Sequence, residues 1–288
     1  MTFESQGAEL EAVIDRPRDI ERPRPAVLIL HDQGPLSRDG IFDGALGLEL
    51  PVEVAVYKQL AETLAQNGYV VMRYDKRTCV RGGATRCDYP REYVEAHRKT
   101  LATTLVKDAD VALSTLRRRT SVDPERVTVL GHGQGAEIGI MLATRRPVDQ
   151  LVLLTPSPYA IDKLIVHQTR YSIRRLKKRK DNETDKTMAD LLKKQIKALE
   201  SSLATQKKAF EALRDGERSD EALGVPSGTW LSLFALQRES MKAVGNLDIP
   251  VLAIFGTADR NLPRDSAETF QKMMSNTPGS EVLLLDDL

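Results

Sequence analysis

Short, mostly aliphatic runs recur along the chain at residues 26–30, 69–74, 127–130, 151–154, 251–255 and 282–285, with polar turns between them. Runs of four to six apolar residues describe strands buried on both faces, as in a parallel sheet. The segments between them carry a helical period. Leu60, Ala61 and Leu64 end at Gly68, and Leu105, Ala109, Ala112, Leu113 and Leu116 precede Asp123 and Pro124. Regular alternation of this kind predicts an α/β protein with a mostly parallel, doubly wound sheet. A weaker apolar–polar alternation over residues 10–14 predicts an antiparallel edge strand ahead of it.

The alternation stops after residue 154, and residues 161–246 contain no strand pattern. Within them Met188, Leu192, Ile196, Leu199, Leu203, Phe210 and Leu213 fall at steps of three, four or seven. That spacing predicts one long amphipathic helix over 187–213. The stretch reads as a helical cap inserted into a core made of residues 1–160 and 247–288. A basic run at 174–180 opens it, but acidic residues follow at once and no aromatic stacking pattern accompanies it. Such a run reads as a solvated helix face rather than a nucleic-acid site.

The 288 residues include 42 Lys and Arg against 41 Asp and Glu, 41% hydrophobic residues and 5% aromatics, which excludes disordered and collagen-like chains. A net charge of +1 gives no global attraction for nucleic acid or acidic lipid, so either role needs a local patch. No apolar run approaches the ~20 residues of a membrane span, and the first residues lack a secretory signal's charged and apolar regions. Neither a membrane nor a nucleic-acid partner is therefore expected. Cys79 and Cys87 share one short Gly-containing loop and are read either as a disulfide or as two free thiols. A bridge implies an exported protein, whereas free thiols suit the cytoplasm. Without a second Cys pair or a nearby His cluster, no metal site is expected.

The most informative stretch is Val127-Thr128-Val129-Leu130-Gly131-His132-Gly133-Gln134-Gly135-Ala136, a strand passing through a Gly-rich turn into a helix. Gly131, Gly133 and Ala136 fit a dinucleotide fingerprint, G-x-G-x-x-[GA]. Against that reading, two strands precede the motif, and Thr155-Pro156-Ser157 stands where a ribose-binding acid would follow the next strand. The alternative is a nucleophile elbow centred on residue 133, with Gly131 and Gly135 admitting close backbone approach. Gly133 then occupies the place of the Ser, Cys or Asp that a hydrolase requires.

Four motifs in order carry a resemblance over almost the whole chain. They are His31-Asp32-Gln33-Gly34-Pro35 after the first parallel strand, Arg73-Tyr74-Asp75-Lys76-Arg77 after the second, the Gly-rich turn after the third, and Gly256-Thr257-Ala258-Asp259 near the end. In these the chain resembles the α/β-hydrolases, in particular their bacterial esterase-like and dienelactone-hydrolase-like serine hydrolases. The resemblance implies an eight-stranded sheet with a helical cap after the sixth strand, a small acyl or ester substrate, and no cofactor. It places the nucleophile at Gly133, the triad acid at Asp259, and the oxyanion-binding backbone N–H groups at Gln134 and Gln33. It also places the general base just after the last strand, a position that falls beyond residue 288, so the sequence is expected to be part of a longer protein. His31, His97, His132 and His167 match no catalytic position. The expected function is that of an ester-hydrolase relative inactive as written, or alternatively a non-catalytic binding module on the same fold.

Overall fold

The computed structural model describes residues 1–42, 54–81, 87–88, 90–216 and 219–287. Eight strands form its main sheet: β1 (Thr2–Ser5), β2 (Ala8–Asp15), β3 (Arg24–Leu30), β4 (Val70–Tyr74), β5 (Val122–His132), β6 (Gln150–Leu154), β7 (Val251–Gly256) and β8 (Glu281–Leu285). Their order is β1-β2-β4-β3-β5-β6-β7-β8. The β1/β2 and β2/β4 pairs are antiparallel, and every later pairing is parallel. Residues 10–14 do form an antiparallel strand, but it lies one place in from the edge. β1 covers it, turning back through Gln6 and Gly7, both at positive φ. Four residues with only Phe3 and Ser5 buried are too short a pattern to register as a strand in the sequence.

Helices cover both faces, which is why the central strands are continuously apolar. On one face α1 (Val56–Gln66) packs Tyr57 and Ala61 against Val27, Ile29, Val71 and Leu130. On the other face α3 (Leu101–Arg117), which follows the short α2 (Arg91–Ala96), packs with α4 (Gln134–Ala143) over Leu28, Met72, Val129 and Leu151. Alternate residues of β3 thus go to opposite layers. Full burial of a side chain such as Leu28 stabilises by about 1.5 to 3 kcal/mol.

Between β6 and β7 the chain forms α5 (Ile161–Asp181), α6 (Lys186–Arg214) and α7 (Ser227–Val244), and α8 (Ser266–Met273) precedes β8. The helix expected over 187–213 runs from Lys186 to Arg214, and its N-cap Asp185 accepts from the Met188 N–H at 2.8 Å. α5 and α6 pack on each other as an antiparallel hairpin. At its root Phe210 and Leu213 join Trp230, Ile161 and Ile165 in a separate apolar cluster, and the Arg214 guanidinium grips the Asp162 carboxylate with bonds of 2.7 and 2.6 Å. α7 behaves differently, contributing Leu236, Met241 and Val244 to the main core.

Cys79 and Cys87 are joined by a disulfide with Cα atoms 4.7 Å apart. Cys79 precedes, and Cys87 belongs to, a two-residue antiparallel pairing of Val80 with Asp88 and Arg81 with Cys87. Gly82 and Gly83, expected to make the reversal, lie outside the described residues.

Candidate functional site

The turn after β5 is a sharp strand-to-helix reversal. Gly133 takes φ +51° and ψ −112°, and α4 begins at the next residue. This backbone conformation strains any L side chain. The flanking glycines answer to crowding. A Cβ on Gly131 would lie 2.5 Å from the Gly135 carbonyl carbon, and one on Gly135 would lie 2.6 Å from that of Leu30. Close approach of the turn to the end of β3 is thus written into the sequence as Gly-x-Gly-x-Gly. The same approach brings the His31–Gly34 loop onto the turn.

Across that contact the backbone N–H groups of Gln33 and Gln134 converge on one oxygen. Both donate to Asp32 Oδ1, at 2.7 and 3.1 Å. A Cβ built on Gly133 would overlap that oxygen and lie 2.5 Å from Asp32 Cγ. The carboxylate of Asp32 therefore fills the space that a side chain at residue 133 would need. The N-terminal end of α4 adds a partial positive charge that favours an anion there.

Three further contacts fix the loop. The Asp32 N–H donates to Tyr57 Oη at 2.9 Å, and Tyr57 Oη lies 3.0 Å from His132 Nδ1. The buried Lys76 ammonium donates to the Asp32 carbonyl at 2.7 Å and to Gln134 Oε1 at 2.6 Å. His31 is buried with its ring edge-on to Tyr57 and Tyr74, and no partner reaches its Nε2 among the described residues.

Burial and neighbouring charge shift the ionisable groups around the turn. Loss of hydration lowers Lys76 to about 8, although the negative charges of Asp32 and Glu137 oppose the change. Loss of hydration raises Glu137, on the first turn of α4, to about 8; Asp32 reinforces the rise and Lys76 opposes it. His31 falls to about 3 through burial, with Lys76 the next contributor, and so is neutral over the ordinary pH range. Next to these groups lies a cavity of about 290 Å³ between the turn and the root of the hairpin, lined by Gln33, Lys76, Gln134, Ile161, Trp230 and Leu233 among others.

Gly133, Gln134 and Gln33 are thus brought together, whereas Asp259 stands apart from them. It follows β7, two strands from β5, which is a lateral distance of about 10 Å at ordinary strand spacing. It lines a different cleft of about 450 Å³ with Phe255, Leu262 and Leu284. Its Oδ1 accepts from the Asn261 N–H at 2.7 Å, a local turn contact. No histidine is hydrogen-bonded to it among the described residues; His97 stacks on Tyr93 instead. Asp32, Tyr57, Lys76 and Glu137 were not singled out from the sequence. Asp32 and Lys76 stand inside recognisable motifs, but their roles depend on loops up to about a hundred residues apart in sequence. Among the described residues no cluster of His, Cys, Asp and Glu could hold a metal ion. No described helix is long and apolar enough to cross a membrane.

The strand order, with an antiparallel pair leading a parallel sheet and a tight turn after β5 into α4, is that of the α/β-hydrolase fold. Within that class, residues 52–284 match the model of the serine aminopeptidase S33 family, and the chain belongs to that family. It is 27% identical over 266 residues to the esterase EstD of Thermotoga maritima, an alignment covering 92% of this chain and 54% of that protein. The chain therefore spans about half the length of this relative. Among solved structures it resembles Est1E from Butyrivibrio proteoclasticus, with a TM-score of 0.59, 16% identity, and coverage of 100% of this chain and 88% of that one. It also resembles the acylaminoacyl peptidase of Pyrococcus horikoshii, with a TM-score of 0.58 and 14% identity over 99% of this chain and 36% of the other. At these identities the structural likeness speaks to the fold.

Proposed function

We propose that this chain is an ester-hydrolase relative that holds a small acyl or ester compound without turning it over through an acyl-enzyme. The observation that carries the reading is the Asp32 carboxylate on the N–H groups of Gln33 and Gln134, beside a residue with no side chain. In a serine hydrolase those two N–H groups would stabilise the oxyanion of a tetrahedral intermediate, and a serine at position 133 would attack. Here an internal carboxylate accepts both bonds, and no hydroxyl stands at 133. Asp259 holds the place of the triad acid on this reading. On this reading the α5/α6 hairpin within the 161–246 insertion caps a core of 1–160 and 247–288, which α7 joins, and the cavity beneath the hairpin root receives the ligand. The Cys79–Cys87 bridge supports residence in an oxidising compartment.

The test is a panel of p-nitrophenyl acetate, butyrate and octanoate, run alongside labelling with a fluorophosphonate probe. Turnover equal to a heat-denatured control and no covalent labelling are expected, together with a ligand-induced rise in melting temperature for acyl compounds that fit the cavity. Labelling of the chain, or ester turnover well above the control, would overturn the proposal.

A further inference from the structure

The near-neutral net charge of the chain conceals a segregation. Residues 161–214, which make up the α5/α6 hairpin, contain fifteen Lys and Arg against seven Asp and Glu, a surplus of eight. Since the whole chain carries +1, the remaining residues carry −7. The positive charge is concentrated on one projecting element.

It is also concentrated on one face of that element. On α5 the apolar seam runs through Ile165, Ile173 and Leu176, while Lys163, Arg170, Arg174 and Lys178 follow at steps of four or seven, about a third of a turn away. On α6 the seam runs through Leu192, Ile196 and Phe210, and Lys193, Lys197 and Lys208 lie about a third of a turn away in the same rotational sense. In an antiparallel pair with seams facing each other, equal rotation places both stripes on the same side. The Lys177–Glu200 ion pair bridges the two helices on that side at 2.7 Å. All seven stripe residues are exposed. None of them forms an ion pair among the described residues; Arg174 rests over the Tyr171 ring. Asp181, Asp190 and Glu211, with Glu200 paired to Lys177, share the face without neutralising it. At 1.5 Å per residue the hairpin presents a strip roughly 30 to 40 Å long.

We infer that this face of the α5/α6 hairpin docks the protein onto an anionic lipid bilayer. Clustered Lys and Arg on an exposed helical surface are attracted to acidic headgroups, and a fluid bilayer rearranges its charges around a flat strip. A nucleic acid fits less well. Asp181, Asp190 and Glu211 would be pressed against fixed phosphates, and the stripe-bearing part of α5 offers only His167 and Tyr171 as rings for stacking. Ile161 and Ile165 of the hairpin root line the cavity beside Gln33 and Gln134 from the side of α5 opposite the basic stripe, so docking leaves that cavity unobstructed. The inference stands whether or not the chain is catalytic.

The experiment is cosedimentation of the full chain with vesicles of phosphatidylcholine alone or with about 30 mol% phosphatidylglycerol. Binding only to the anionic vesicles is expected, with release as salt rises well above physiological strength. Combining Arg170→Glu, Arg174→Glu, Lys193→Glu and Lys197→Glu should weaken binding at least about 100-fold, since each basic residue near the surface contributes roughly fivefold. A charge-matched control carrying Lys58→Glu, Lys99→Glu, Lys242→Glu and Lys272→Glu, all away from the hairpin, should retain most of it. Circular dichroism on both variants checks that the helices survive. Failure to bind anionic vesicles at low salt, equal loss in both variants, or binding of single-stranded RNA in place of vesicles would each overturn the inference.

Discussion

Asp32 and Gly133 are mutually exclusive as side-chain-bearing positions. The Asp32 carboxylate lies 2.5 Å, measured at Cγ, from where a Cβ on residue 133 would stand, and its Oδ1 accepts from the two N–H groups beside it. One hundred and one positions apart in sequence, the two residues share a single volume. A carboxylate in that volume is compatible with glycine at 133 and with little else.

Gly133→Ser should therefore destabilise the protein, through steric overlap with Asp32 and the positive φ of the turn, by about 1 to 3 kcal/mol. Asp32→Gly should relieve the overlap. The double variant is expected to be more stable than the sum of the two single effects predicts, with a coupling of about 1 kcal/mol or more. Urea denaturation of the four proteins in the cycle measures this. Strict additivity would show that Asp32 moves aside freely.

The central strands were legible because parallel strands covered on both faces need unbroken aliphatic runs, as in Ala26–Leu30, where every residue is buried. Gly131, Gly133 and Gly135 were legible because steric crowding leaves a residue-type signature. The burial of Lys76 was hidden, since lysine in a turn motif ordinarily points to solvent, and the Gln134 side chain and the Asp32 carbonyl that accept from it are brought by other elements. The site occupied by Asp32 was hidden for the same reason. Its two donors, Gln33 and Gln134, come from two loops, and no local pattern records their meeting.

The buried ion pair beneath the loop after β4 should be a strong determinant of stability. Arg77 Nε donates to Asp108 Oδ2 at 2.8 Å, Arg77 Nη2 reaches Oδ1, and the Ser5 hydroxyl adds a bond of 2.6 Å to Oδ1. The network ties β1, the loop after β4 and α3 together. Asp108→Ala leaves a buried guanidinium without its counter-ion and should cost about 3 to 5 kcal/mol. Replacing both partners with apolar residues should cost less than the single change. Chemical denaturation distinguishes the two cases, and a loss under about 1 kcal/mol for Asp108→Ala would show that water reaches Arg77.

Reduction should also lower the melting temperature. A bridge closing the short loop between Cys79 and Cys87 stabilises by about 2 to 3 kcal/mol in the chain-entropy account. Thermal melts with and without a phosphine reductant test the effect, and mass spectrometry after alkylation of unreduced protein tests the bridge itself. Alkylation of both thiols without prior reduction would remove the basis for the prediction.

The limb of the stability profile between pH 6.5 and 8 should belong to Glu137. Its carboxyl rises from an ordinary 4.5 to about 8 in the folded protein, so between those values the folded state binds more protons than the unfolded state. Stability therefore falls as pH rises through this window. His31 acts in the opposite sense. Lowered from 6.5 to about 3, it makes the unfolded state the better proton acceptor between those values, so stability rises with pH there and offsets Glu137 below pH 6.5. Above pH 8 Lys76, lowered from 10.5 to about 8, again favours the folded state as pH rises toward 10.5. The sum is a rise from about pH 3 to 4.5, a shallow stretch from there to 6.5 where the two cancel, a decline from about 6.5 to 8, and a partial recovery beyond it. Glu137→Gln removes the titrating carboxyl while keeping the shape of the side chain, and should flatten the decline while leaving the recovery due to Lys76. Melting temperatures of the parent chain and of Glu137→Gln, measured across this range in buffers of equal ionic strength, decide the matter. Parallel curves for the two proteins would mean that Glu137 is hydrated in the folded state and that the decline has another source.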